Sequence, residues 1–365
     1  MSYITATGIA VPRQPLDQST ISRFMEIMMG KEDSDVRRKI KAIFRASGIR
    51  QRHSVLEDYG RTSDFTFYPN NDTDPFPGTE SRMNVFREHA LPLSVEAVSN
   101  MMTRVPVKAE EITHLIVVSC TGMYAPGLDI DLVKALKLRT NIQRICIQFM
   151  GCYAAFNALK VANTICRSEA HEKVLIVCAE LCSIHFQPEP TDDNILANAL
   201  FADGAAAMLV TSDKINPRSL EVVSSFNDLA LKGESDMAWN VGDHGFRMRL
   251  SSYVPDLIKG EIGSLLERFL STSNVLRPDI AHYAMHPGGT RILQIIEECL
   301  GLTRDDNAHA YEVLRKYGNM SSATVVFVLD KIIQELHPDQ NNKMVLSIGF
   351  GPGLTLESML YKIHA

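Results

Sequence analysis

The chain has 365 residues, 45% of them hydrophobic and 22% charged, with a formal net charge of -6. This is the profile of a soluble globular protein with one large or two medium domains, and it argues against nucleic acid as a bulk partner, because phosphate binders carry a basic face. No run of about 18 apolar residues occurs, so no membrane span is expected, and MSYITATGIAVP lacks the basic and apolar regions of a secretory signal.

In chain order, residues 57–84 are polar and rich in Pro, Gly, Asp and Asn, which predicts a long surface excursion. Helical spacing follows at 91–104, then an apolar strand run at 114–119 and a helix at 128–138. The stretch ICIQFMGCYAAFNALKVANTI predicts a buried strand over 144–149 turning into a helix over 153–167. Ala155, Ala158, Leu159, Ala162 and Ile165 form one face of that helix. Strand runs at 173–178 and 205–210 come next, then helices at 255–270, 290–300 and 320–335. Residues 323–329 also read as a strand. A polar turn at 337–343 precedes the strand 343–348. Strands alternating with helices predict an α/β fold with buried sheets.

The two halves echo each other. ITHLIVVSCTGMYAPG resembles IAHYAMHPGG, LFADGAAAMLV resembles IGFGPGLTLESML, and GCYAAFNALKVA and GNMSSATVVFVLDKII both set Gly and a polar residue ahead of a helix. The seven cysteines lie at 120, 146, 152, 166, 178, 182 and 299, with no CxxC metal pair. Reduced thiols in a cytoplasmic protein fit this usage.

Three residues carry candidate chemistry. Cys152 stands at a strand-to-helix turn, where the partial positive charge of a helix start favours thiolate; a plain buried thiol is the alternative. His286 ends a strand-like run before Pro287-Gly288-Gly289, and histidine is the usual proton partner of a reactive cysteine, although a core role fits equally. Asn319, in KYGNMSSATVVF, reads either as a helix N-cap or as a carboxamide donor to a developing oxyanion. GFGPGLTLE, residues 349–357, is richer in glycine than a plain turn requires.

The order Cys152, His286, Asn319, in GC, HPGG and YGNMSSA settings and followed by GFGPGLTLE, closely resembles the type III polyketide synthases of the chalcone synthase superfamily. VLIVCAELCSIHF and LANALFADGAAA extend the resemblance over nearly the whole chain. It implies a thiolase-like five-layered αβαβα fold of two similar halves, here 1–213 with the cysteine and 214–365 with the histidine and asparagine. It also implies a homodimer using starter acyl-CoA and malonyl-CoA, with no metal or redox cofactor. Ketoacyl synthase III, which works on carrier-bound chains, shares the fold and the triad, but HPGG and GFGPG favour the polyketide synthase.

On this resemblance Cys152 holds the starter acyl chain, and His286 stabilises the thiolate as an ion pair. His286 and Asn319 polarise the malonyl thioester so that loss of CO2 leaves an enolate. Phe201 matches the aromatic gatekeeper, and Gly351 and Pro352 belong to the cavity wall. Lys39, Lys41 and Arg45 fall where relatives bind CoA phosphates, and Arg291 falls near the CoA tunnel; solvated helix surfaces are the alternative for all four.

Several positions depart from the plant enzymes. Cys120 and Cys182 stand where the pocket carries threonine, Ala125 replaces a methionine that reaches across the dimer, and Ala197 and Ala202 replace glycines. Trp239, the only tryptophan, falls near the pocket floor. These changes predict a less polar pocket and an aliphatic, malonyl or acetyl starter.

Overall fold

A computed structural model of the chain describes residues 1–31, 33–231, 236–251 and 254–365, with the backbone alone at 256, 261, 262 and 264–266. The first half runs β1 (Tyr3–Ala10), β2 (Pro15–Asp17), α1 (Gln18–Met28), α2 (Ser34–Ala46), β3 (Gln51–His53), α3 (Thr79–Met102), β4 (His114–Ser119) and α4 (Leu128–Ala135). It continues with β5 (Gln143–Gln148), α5 (Ala154–Ser168), β6 (Lys173–Leu181), α6 (Asp192–Leu200) and β7 (Asp203–Thr211). The second half runs β8 (Ser219–Leu229), β9 (Met237–Gly242), β10 (Gly245–Leu250), α7 (Val254–Ser273), β11 (Ile280–Met285), α8 (Thr290–Leu300) and α9 (Ala308–Tyr317). It closes with α10 (Thr324–Glu335), β12 (Met344–Gly351) and β13 (Thr355–His364).

Nine strands form one mixed sheet in the order β11-β12-β13-β8-β1-β7-β6-β4-β5. Each half repeats one pattern. In the first, β4 and β6 are parallel, and β7 and then β1 add antiparallel. In the second, β11 and β12 are parallel, and β13 and then β8 add antiparallel. The β1–β8 pairing, through Tyr3 with Glu221 and Ile4 with Leu220, joins the halves. The sequence echoes fall on matching places: β4 with β11, α5 with α10, and β7 with β13.

The strands read as continuous apolar runs because both faces are covered. On β4 and β6, Ile116, Val118, Val174, Ile176 and Cys178 enter one core, while Leu115, Val117, Leu175 and Val177 enter the other. Helix α3 packs on β1, β7 and β6, while α5 and α10 pack against first-half strands and α10 also meets β11. Residues 323–329 resolve as helix: α10 is buried along nearly its whole length, so its apolar run carries no visible period.

Two expectations change and a third is refined. Helix α3 begins at Thr79, well before 91, and runs through Pro92, because Phe86, Ala90, Leu93, Ala97 and Met101 give it a continuous buried stripe. The 57–84 segment is mostly exposed, as an excursion should be, but it is anchored by a few buried residues. Asp58 is fully buried and accepts from the backbone N–H groups of Thr66, Phe67 and Tyr68, and Tyr59, Phe65 and Tyr68 join Phe24 in an aromatic cluster. Strand β5 is not buried: it is the sheet edge, with Gln143, Arg144, Cys146 and Gln148 exposed.

Candidate active site

The turn before α5 is built around a close approach. Gly151 has φ 77, and a Cβ there would lie 2.1 Å from Pro352 Cδ. Gly351 is equally constrained, since a Cβ would meet the Tyr153 ring at 2.4 Å. The glycines of GFGPG therefore let the β12–β13 loop press onto the Cys152 turn. Cys152 sits in the 3-10 turn Gly151–Tyr153, directly ahead of α5.

His286 ends β11, held by its N–H to Ile348 O at 2.8 Å. Asn319 lies just ahead of α10; its N–H reaches Leu200 O and its carbonyl accepts from Ala202 N, both at 2.9 Å. That bridge sets Phe201 beside Asn319. Buried Arg52 supports it from below, donating to Phe201 O and, at 2.9 Å, to Gln18 Oε1.

The Asn319 carboxamide is both cap and donor. Oδ1 accepts from Ser321 N at 2.9 Å and Thr324 Oγ1 at 3.3 Å. Nδ2 and Oδ1 both lie 3.9 Å from Cys152 Sγ, and Nδ2 also reaches Gly288 O at 3.5 Å. Cys152, His286 and Asn319 line one cavity of about 320 Å³. Neither ring nitrogen of His286 has a hydrogen-bond partner among the described residues. Burial pushes the Cys152 thiol up to about 12 and the His286 imidazole down to about 3. Desolvation favours the neutral forms of both groups, and no hydrogen bond joins them in this structure.

Cys120, Cys182, Ala197, Phe201, Pro352 and Arg291 also line the cavity, and Gly351 lies behind Cys152. Ala125 does not; it is exposed, beyond β4. Of the cations, Arg291 stands at the mouth, and Lys39 pairs with Asp192 beside it, on the α2 face that carries Ile43 and Ser47. Lys41 pairs with Glu26 at 3.1 Å and Arg45 is exposed; helical spacing turns both away from the cavity.

The far end is aromatic and apolar: Trp239, Phe246, Met237, Met248 and Leu250 from the β9–β10 ribbon, with Val254 and Ile258 of α7. Trp239 Nε1 donates to Cys120 O at 2.6 Å.

The sequence reading missed two buried polar groups here. His185 stacks on Phe246 at 4.3 Å, with Nε2 on Thr121 O at 2.6 Å and Nδ1 accepting from Phe246 N at 2.9 Å. Glu180 lies behind Cys120. Its signal was a lone carboxylate inside the apolar run KVLIVCAEL. All seven cysteines are free; Cys146 is exposed, Cys182 and Cys299 are half-buried, and the other four are buried. Among the described residues no cluster could hold a metal ion, and no helix is long and apolar enough to cross a membrane.

Like halves closing on a thiol, an imidazole and a carboxamide form the architecture of the thiolase-like condensing enzymes. Two solved structures share it: PKS-I from the brown alga Ectocarpus siliculosus (TM-score 0.91, 28% identity, covering 99% of this chain and 98% of that one) and the C-terminal type III polyketide synthase domain of Steely1 from Dictyostelium (TM-score 0.86, 27% identity, 100% and 99%). The family models for the N-terminal and C-terminal domains of chalcone and stilbene synthases match residues 1–214 and 221–364. The alpha-pyrone synthesis polyketide synthase-like Pks18 of Mycobacterium tuberculosis is 32% identical over 369 residues, covering 100% of this chain and 91% of that protein. Probable polyketide synthase 1 of Dictyostelium discoideum is 28% identical over 371 residues, covering 99% of this chain and 11% of that protein. The chain therefore belongs to the chalcone and stilbene synthase family, the type III polyketide synthases. These are malonyl-CoA-dependent condensing acyltransferases that use CoA thioesters without a resident cofactor.

Proposed function

We propose that the chain condenses malonyl-CoA iteratively onto an aliphatic acyl-CoA starter, or onto malonyl- or acetyl-CoA, and releases a pyrone or resorcinol-type product. Cys152 attacks the starter thioester as His286 takes its proton, the acyl chain moves from CoA sulfur to Cys152, and the departing CoA thiolate takes the proton back from His286. His286 then presents N–H, with Asn319 Nδ2, to the malonyl thioester carbonyl. Loss of CO2 leaves an enolate held by both donors; its carbon attacks the acyl-enzyme carbonyl, the bond to Cys152 sulfur breaks, and the extended chain is carried on CoA while Cys152 is freed as thiolate. The observation that carries this reading is the buried Asn319 carboxamide beside Cys152: its oxygen accepts from Ser321 N, and its Nδ2 lies 3.9 Å from the thiol in the cavity that His286 also lines.

The apolar lining supports an aliphatic starter, and the alpha-pyrone activity in the name of the Mycobacterium relative supports a pyrone. Phe201 acts as gatekeeper, with Cys120, Cys182, Ala197, Gly351 and Pro352 around the substrate. Arg291 and Lys39 are the cations placed to meet CoA phosphates. The exposed β5 edge and Ala125 support a homodimer that meets there, and a division of the chain at 213/214 follows the two-half pattern. Seven free thiols fit a cytoplasmic setting.

The test is incubation of pure protein with malonyl-CoA and starters from acetyl- to palmitoyl-CoA, with products read by mass spectrometry. Polyketides built on aliphatic starters are expected; turnover of bulky aromatic starters alone would overturn the starter assignment.

A further inference from the structure

The β9–β10 ribbon that walls the far end of the cavity belongs to no larger sheet. A lone two-stranded hairpin is marginally stable in water, so its shape depends on what it packs against. The cross-strand pairs Met237–Leu250 and Trp239–Met248 set those side chains on one face, where all of them line the cavity. The turn at Asp243–His244 has its own holders. Thr79, the first residue of α3, grips it at three points: its N–H donates to Asp243 O at 2.8 Å, its hydroxyl donates to Gly242 O, and the same oxygen accepts from Gly245 N at 2.9 Å. Gln187 Nε2 adds a bond to His244 O at 2.9 Å. Gly245 has φ 89, and a Cβ there would lie 2.6 Å from Arg82 Cδ, so the turn seats directly on α3. Neither Thr79 nor Arg82 lines the cavity.

We propose that Thr79 is a positioning residue for starter selection: it clamps the turn of the ribbon to α3 and thereby fixes Trp239 and Met248 as the far wall of the cavity. Its hydroxyl bridges Gly242 O on β9 and Gly245 N on β10, so one side chain from outside the ribbon holds both strands at the turn. From there the grip passes inward. Phe246 follows Gly245, donates its N–H to His185 Nδ1 at 2.9 Å, stacks on the His185 ring at 4.3 Å and meets Trp239 edge-on at 5.9 Å. Trp239 in turn donates to Cys120 O at 2.6 Å. These contacts bar the ribbon from moving closer to the first-half wall. A turn released from Thr79 therefore backs away, and the space beyond the reacting groups lengthens.

This inference rests on the far end of the cavity selecting the starter, and the experiment separates the two. Trp239 is the chain's only tryptophan, so its fluorescence reports on the ribbon without any substrate. Thr79→Val keeps the shape and removes the hydroxyl; Thr79→Ser keeps the hydroxyl. In full-length Thr79→Val the emission is expected to move to longer wavelength and acrylamide quenching to rise, while Thr79→Ser matches wild type. With malonyl-CoA and starters from acetyl- to palmitoyl-CoA, the ratio of kcat/KM for the longest over the shortest is expected to rise about fourfold in Thr79→Val, the equivalent of one further buried methylene, with malonyl-CoA decarboxylation unchanged. A merely structural role would lower every rate by a common factor and leave that ratio alone. Thr79→Ala carries the same expectations should Thr79→Val fail to fold. An unshifted Trp239 signal in a folded variant without the hydroxyl, or a Thr79→Ser that shifts as Thr79→Val does, would overturn the inference alone. A shifted signal with an unchanged ratio, or a wild type that turns over no aliphatic starter, would overturn the far-end reading and the selection role that depends on it.

Discussion

The cavity has two ends built on different principles. At the reacting end, Cys152, His286 and Asn319 are 8%, 1% and 2% exposed and come from segments far apart in the chain. Each is fixed by backbone contacts: the Gly151 turn under Pro352, the His286 N–H on Ile348 O, and the Asn319–Leu200 bridge. At the far end, Met237, Trp239, Met248 and Leu250 stand on the two-stranded β9–β10 ribbon, outside the main sheet and half-exposed. Chemistry needs side chains held to fractions of an ångström, which the central sheet provides; choosing a chain needs only volume, which a peripheral ribbon can vary.

Substitutions at the two ends should therefore fail differently. At the reacting end, Cys152→Ala is expected to lower condensation by on the order of a thousandfold or more while leaving malonyl-CoA decarboxylation measurable, because His286 and Asn319 remain. Product formation and CO2 release, followed in parallel, check this. Asn319→Ala removes one donor at the enolate, a loss of about 3 kcal/mol or a few hundredfold, and should depress both steps. It also frees Ser321 N and costs about 1 kcal/mol of stability, visible as a lower melting temperature. Full decarboxylation in that variant would exclude the carboxamide from the site's chemistry.

At the far end the effects are graded. Trp239→Ala should move the optimum toward longer starters, because each added methylene that becomes buried gains about 0.8 kcal/mol, near fourfold in kcat/KM. An acyl-CoA length series in both proteins measures it, and an unchanged profile in a folded variant would separate Trp239 from chain selection. The smallest change is at the mouth. Arg291 is exposed and loosely paired with Glu298 at 3.7 Å. Arg291→Ala should raise KM for acyl-CoA a few-fold without changing kcat, and the difference should shrink as salt is added.

The reacting end was legible in the sequence because its chemistry is written in short local motifs: GC, HPGG and GNMSSA each place one group. Glu180 was not, because one carboxylate in KVLIVCAEL leaves the strand pattern intact and the donors that satisfy it lie at 120–121 and 322. Asp58 escaped for the same reason, with a polar composition masking a carboxylate buried under its own backbone donors. Strand β5 read as buried because Ile145 and Ile147 look the same on an edge as in a centre; only the sheet order separates them.

Cys152 and Asn319 meet across 167 residues of sequence. A ribosome adding about 5 to 20 residues per second delivers the second roughly 10 to 30 s after the first. Until His286 is added the nascent chain has its thiol but neither the imidazole nor the carboxamide, so a polypeptide truncated before β11 would be a cysteine-bearing fragment and not a weak synthase. Competence arrives with the final third of translation, when the second half closes over the first.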